Sequence, residues 1–133
     1  MSEFVYADLV GKPFQWGARG PESFDCYGLV MEALRRMGRR CPDIASPEER
    51  ELVAGLALEN QPYWTSVAER PGAVALIEVK RRIDGRIRTD LSHVGVVLPF
   101  GQLLHAWHET GGVTVEDIEL WRRRIHGFYE FPQ

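Results

Sequence analysis

The apolar periodicity of this chain changes character once, at Pro71-Gly72, and that change limits the architectures open to it. Before it, Cys26, Leu29, Val30, Ala33, Leu34 and Met37 fall at i, i+3, i+4, i+7, i+8 and i+11, the stripe of an amphipathic helix. After it, "AVALIEVK" (73–80), "LSHVGVVLP" (91–99) and "GQLLHAWHE" (101–109) are β-rich runs. They are separated by a hairpin-type "DGR" turn at 84–86 and a tight Pro99-Phe100-Gly101 turn. A short strand at 113–115, a helical stretch at 117–124 and a last strand at 125–131 follow. Helices early and strands late predict an α+β fold, with N-terminal helices packed on a central antiparallel sheet. A chain of 133 residues suits one domain, 1–133, that buries roughly two thirds of its unfolded surface.

The principal helix has a defined start. Asp25 stands just before the stripe, where its carboxylate can accept the orphan N–H groups of the first turn, so the helix begins at Cys26; Gly38 ends it. The preceding "GKPFQWGARGPES" is punctuated by Gly11, Pro13, Gly17, Gly20 and Pro21 and reads as a loop. Two further helices are expected. One, at 3–10, is capped by Ser2 and carries Val5 and Leu9 on one face; the other, at 47–59, has Ser46 as cap, Pro47 at its first position and Glu48 and Glu49 at its positive end.

With 44% hydrophobic and 26% charged residues, the composition is that of a folded globular protein rather than a disordered one. A net charge of -3 gives no footprint for nucleic acid, and Arg122-Arg123-Arg124 reads as a solvated helix face. No segment approaches the roughly 18 apolar residues of a membrane span, and the N-terminus has no secretory pattern, so synthesis in the cytoplasm without membrane insertion is expected. Cys26 and Cys41 do not form a disulfide framework and are expected as free thiols.

The chemistry gathers at three positions. A cysteine at a helix N-terminus sits in a field that favours its thiolate, and a neighbouring imidazolium favours it further, to a pKa of roughly 3.5 to 7.5. His93 and His105 lie twelve residues apart across the Pro99-Gly101 turn, a spacing that makes them neighbours on one face of an antiparallel hairpin. A helix whose N-terminus lies over that face presents Cys26 as nucleophile, His93 as base and His105 as the group that orients the base. First-turn N–H groups can meet a developing oxyanion. A zinc site built from Cys26, Cys41, His93, His105 or His108 is disfavoured, because no C-x-x-C or H-x-x-x-H pair is present. His108 has the opposite strand parity to His105, and His126 reads as structural or exposed. Asp25, Trp16, Arg19 and Trp107 are candidate substrate contacts, set against the plainer readings of a helix cap and core aromatics.

From about Phe14 to Val113, through "PFQWGARGPESFDCYGLVMEALRRMG", "RPGAV", "SHVGVVL" and "LLHA", the chain resembles the NlpC-type cell-wall peptidases, papain-like cysteine enzymes. The resemblance implies a papain-like domain that cuts peptidoglycan stem peptides, commonly between γ-D-glutamyl and a diamino acid, through a thioester and without metal or cofactor. It maps nucleophile, base and polar third residue onto Cys26, His93 and His105. Three positions depart from the family pattern. Tyr27 replaces a common serine and resembles the branch found with phage tail-tip assembly proteins. Phe14 stands where many members carry a tyrosine whose hydroxyl lies near the oxyanion, and loss of one such donor can cost on the order of 100-fold in rate. Pro71-Gly72-Ala73 replaces a Pro-Gly-Asp turn. The resemblance thus implies a bacterial peptidoglycan substrate, with phage tail-tip proteins as partners and delivery to the wall by a tail, injection as a secretion-system toxin being the alternative route. Two other readings stand beside it: a catalytically weak tail-tip scaffold, and an amidase or acyltransferase using the same three residues.

Overall fold

The computed structural model describes residues 4–43 and 64–133. Among the described residues, one α-helix, α1 (Cys26–Arg36), is followed by six strands: β1 (Thr65–Val67), β2 (Val74–Ile83), β3 (Arg86–Leu98), β4 (Gln102–Trp107), β5 (Gly112–Asp117) and β6 (Ile125–Glu130). All pair antiparallel in a single sheet of order β1-β6-β2-β3-β4-β5. This is the expected α+β class, with one helix on the sheet.

The early helix is corrected: residues 7–11 form turns, and of its two expected face residues Val5 is exposed while Leu9 is buried. Two apolar positions four apart do not offset the cost of nucleating so short a helix. The helix expected at 47–59 lies outside the described residues. The helical stretch at 117–124 is two single 3-10 turns, Ile118–Leu120 and Arg122–Arg124. The short strand β1 had no legible pattern, with two of its three residues exposed.

α1 starts where its cap dictates. Asp25 is extended (φ -90°, ψ 180°) and its Oδ1 accepts from Gly28 N–H at 2.6 Å. At the other end Gly38 adopts φ +75°, a left-handed conformation that terminates the helix without a Cβ penalty. Arg35 and Arg36 occupy the last turn, where the dipole favours cations.

The sheet is covered on both faces. Leu29, Val30, Ala33 and Leu34 of α1 pack with Val74, Leu76, Val94, Val96, Leu104 and Ala106. The other face gathers Ala75, Ile77, Val97, Leu103 and Trp107 under Ile118 of the first 3-10 turn and Trp121 between the two turns. That double cover explains why Ala73 through Ile77 reads as an unbroken apolar run and is wholly buried. The β2–β3 hairpin closes on Asp84 (φ 51°) and Gly85 (φ 76°), the two positive-φ residues that such a turn demands.

Pairing is irregular at one place. Ile77 faces His93 but Glu78 faces Leu91, which leaves Ser92 as an extra residue on β3. On the other side of β2, Leu76 faces Gly127 and Ile77 faces Ile125, so His126 is the extra residue on β6. Two bulges flanking Ile77 twist the sheet locally and re-aim the side chains beside them.

Candidate active site

Cys26 is the first residue of α1, half-buried and not in a disulfide. Its position is fixed from beneath. Asp25, 2% exposed, caps the helix, accepts from Gly17 N–H at 3.2 Å and takes Arg19 Nη1 on both oxygens at 2.8 Å. Burial pushes the Asp25 carboxyl up, against the downward pull of Gly28 N–H and Arg19. The loop passes so close that a Cβ on Gly28 would lie 2.2 Å from the Ala18 carbonyl oxygen. The first turn of α1 is therefore packed directly against the Ala18 backbone.

His93 and His105 are both fully buried, and His93 Nε2 lies 2.9 Å from His105 Nδ1. The hairpin register brings them together on one face, as the spacing predicts. Reach is provided by Gly95, where a Cβ would stand 3.1 Å from the His105 Cβ and 3.1 Å from the Leu104 carbonyl oxygen. Trp107 leans on His93 with ring centroids 4.6 Å apart, and Trp121 on His105 at 4.8 Å. Those tryptophans belong to the face opposite the apolar stripe of α1, which covers the Val94 and Val96 side. α1 nonetheless packs on β3 and β4, the strands that bear both histidines.

The far side of His105 holds a residue that sequence reasoning missed. His105 Nε2 lies 2.7 Å from Glu116 Oε1, and the Trp121 indole N–H donates to the same oxygen at 3.3 Å. Burial lowers the His105 pKa, opposed by the Glu116 carboxylate. Alternation in β5 sets Thr114 and Glu116 on one face and Val113 and Val115 on the other, but the β4–β5 register was needed to put Glu116 beside a histidine. Trp121 carried no sequence signal of its own.

The remaining candidates are dispersed. Trp107, 7% exposed, is buried against His93, whereas Trp16 is 41% exposed beside Phe14 in an edge-on contact at 4.6 Å. His108 lies near both rings, at 6.1 Å from Phe14 and 5.9 Å from Trp16. Arg19 is engaged with Asp25 and Asp43. Tyr27 points into the core, bonded to the Pro42 carbonyl and 3.5 Å from Cys41 Sγ. Burial raises the Cys41 thiol to about 11, so this cysteine is not an activated one. Among the described residues no three His, Cys, Asp or Glu side chains converge as a metal-binding group, and no helix is long and apolar enough to cross a membrane.

The model of the NlpC/P60 family matches residues 11–130. A probable endopeptidase of Mycobacterium bovis is 32% identical over 84% of this chain, which covers 23% of that protein. The probable endopeptidase p60 of Listeria grayi is 25% identical over 93% of the chain and 22% of its own length. The chain thus spans under a quarter of these curated relatives. Among solved structures, the NlpC/p60 domain of peptidoglycan hydrolase SagA superposes with a TM-score of 0.57 at 22% identity, covering 96% of this chain and 92% of that one. An NLP/P60-family lipoprotein-like structure from Staphylococcus aureus gives 0.63 at 16% identity, over 96% of this chain and 39% of the other.

Proposed function

The chain belongs to the NlpC/P60 family, and from that membership we propose that it is a cysteine endopeptidase of bacterial peptidoglycan stem peptides, with Cys26 as nucleophile, His93 as general base and His105 as its orienting partner. The observation that carries this reading is the buried imidazole pair, joined at 2.9 Å, on the two strands against which the Cys26 helix packs. With Nε2 of His93 turned to His105, its Nδ1 is the nitrogen that serves the sulfur. The Ser92 bulge lies immediately before His93 on β3.

The Cys26 thiolate attacks the scissile carbonyl carbon while its proton resides on His93. Collapse of the tetrahedral intermediate expels the amine, which takes that proton, and leaves a thioester on sulfur. Water, deprotonated by His93, then attacks the thioester and releases the carboxylate and the thiol. Because Gly28 N–H is committed to Asp25, the oxyanion falls to the N–H groups of Cys26 and Tyr27 at the head of α1. We assign the γ-D-glutamyl–diamino acid bond as substrate and delivery by a phage tail, both supported by the family resemblance, the latter through the Asp25-Cys26-Tyr27-Gly28 variant.

The test is digestion of purified sacculi of defined stem-peptide chemistry, with mass spectrometry of the products. Wild-type protein releases stem-peptide fragments and Cys26→Ala, folded to the same thermal midpoint, releases none. Equal release by the variant ends the proposal. An inert scaffold is the second reading, favoured by Phe14, whose ring packs on Trp16 and offers no donor. It predicts that Cys26 alkylation by iodoacetamide shows no rate plateau below about pH 7.5.

A further inference from the structure

We infer that Glu116 is a positioning residue that sets the tautomer of both histidines and thereby selects Nδ1 of His93 as the base. The inference rests on the reading of His93 as general base given above. It follows from how protons can be distributed along a chain of three groups. Burial pushes the His105 pKa down and so favours the neutral ring, which has one N–H to place. Glu116 Oε1 at 2.7 Å from Nε2 is an acceptor, so the proton belongs on Nε2. The reverse tautomer would set a nitrogen lone pair against a carboxylate oxygen at that distance. With Nε2 protonated, His105 Nδ1 is a lone pair and must accept from His93 Nε2–H at 2.9 Å. Neutral His93 then carries its lone pair on Nδ1.

Other groups around the pair reinforce this arrangement. The Trp121 indole N–H donates to Glu116 Oε1, which anchors that oxygen, and its ring covers both imidazoles, at 5.6 Å from His93 and 4.8 Å from His105. Trp107 covers His93 from β4. Arg124 stacks on Trp121 at 4.2 Å, and its positive charge opposes that of Glu116 at His105. Beside the Cys26 thiolate, the Glu116 charge stabilises an imidazolium formed at His93, transmitted through His105. Its loss lowers the pH at which that imidazolium gives up its proton.

Long-range proton–nitrogen NMR of the full chain, labelled at its histidines, reads these protonation sites whether or not the protein cleaves anything. In the wild type at neutral pH, His105 is expected to carry its proton on Nε2, and His93 to hold its Nε2–H whether or not its Nδ1 has taken the proton of Cys26. Glu116→Leu removes the acceptor, and a His105 population protonated at Nδ1 is expected to appear. Glu116→Gln keeps an acceptor oxygen without the charge; the tautomers persist, and His93 titrates about half to one pH unit lower. The inference is overturned by a wild-type His105 protonated at Nδ1, or by a folded Glu116→Leu with wild-type tautomers. It is overturned equally by a Glu116→Gln whose His93 titration is unmoved, which decides the matter if the leucine variant does not fold. Expected tautomers in a protein that leaves sacculi intact would reject the peptidase reading and leave the relay standing.

Discussion

At the scale of single residues, the site depends as much on what is missing as on what reacts. Gly95 gives His105 the room to lean toward His93, because any Cβ there would stand 2.9 Å from Leu103 Cδ1 as well as crowding His105. Gly95→Ala should therefore cost about 1–3 kcal/mol by overpacking and reduce hydrolysis more than stability explains. Urea unfolding and sacculus digestion of the same sample would check this. Unchanged stability with full activity would mean that His105 is not held by that contact. The sequence marks Gly95 only as part of a His-Val-Gly run; the reason for the glycine lies on the neighbouring strand.

At the scale of elements, α1 is the part whose position decides the chemistry, and its start is set by one buried carboxylate. Asp25 takes N–H groups from Gly28 and Gly17 and both of its oxygens meet Arg19. Asp25→Ala should cost about 1–2 kcal/mol for the cap alone, with more from the half-buried Arg19 that loses its partner. Asp25→Asn, which keeps an acceptor for Gly28, should lose less. Denaturant midpoints of the two variants give the order, and an alanine variant as stable as wild type would show that the loop, not the cap, fixes the helix. The cap, the helix and the Asp84-Gly85 hairpin were legible because each is local chemistry written in adjacent residues. The 3–10 helix failed because two apolar residues could not nucleate it, and β1 was invisible because most of its surface is solvated.

At the scale of the whole molecule, carboxylates tie distant segments together and make stability depend on pH. Glu130 of β6 is lowered by Arg70 and also meets Arg39, while Glu32 is lowered by Arg35 and Arg36, and Arg36 in turn holds Asp8. A carboxylate whose folded pKa lies below its ordinary value of 4.5 stabilises fully above that value. The contribution is lost as pH falls through the depressed folded value. Asp25, raised by burial, acts with the opposite sign. The pairs are largely at the surface, at about 0.2–1 kcal/mol each. Glu130→Gln should thus lose stability relative to wild type at pH 7 and converge with it toward pH 3, with the gap narrowed in 1 M salt. Urea midpoints across that range test it, and a gap that stays constant with pH would remove the ion pair from the account.

The sequence by itself determined the class of fold, the helix that begins at Cys26, the hairpin that joins His93 to His105, and hence which three residues are candidates for one reaction. These follow from periodicity, capping and turn chemistry, which act over a few residues. Tertiary structure alone decided which sheet face carries the imidazoles, that Trp107 and Trp121 cover them, and that Glu116 stands behind His105. Those facts depend on the β4–β5 register, on bulges at Ser92 and His126, and on which strand lies next to which. Each is set by packing between segments far apart in the chain, where no local pattern records it.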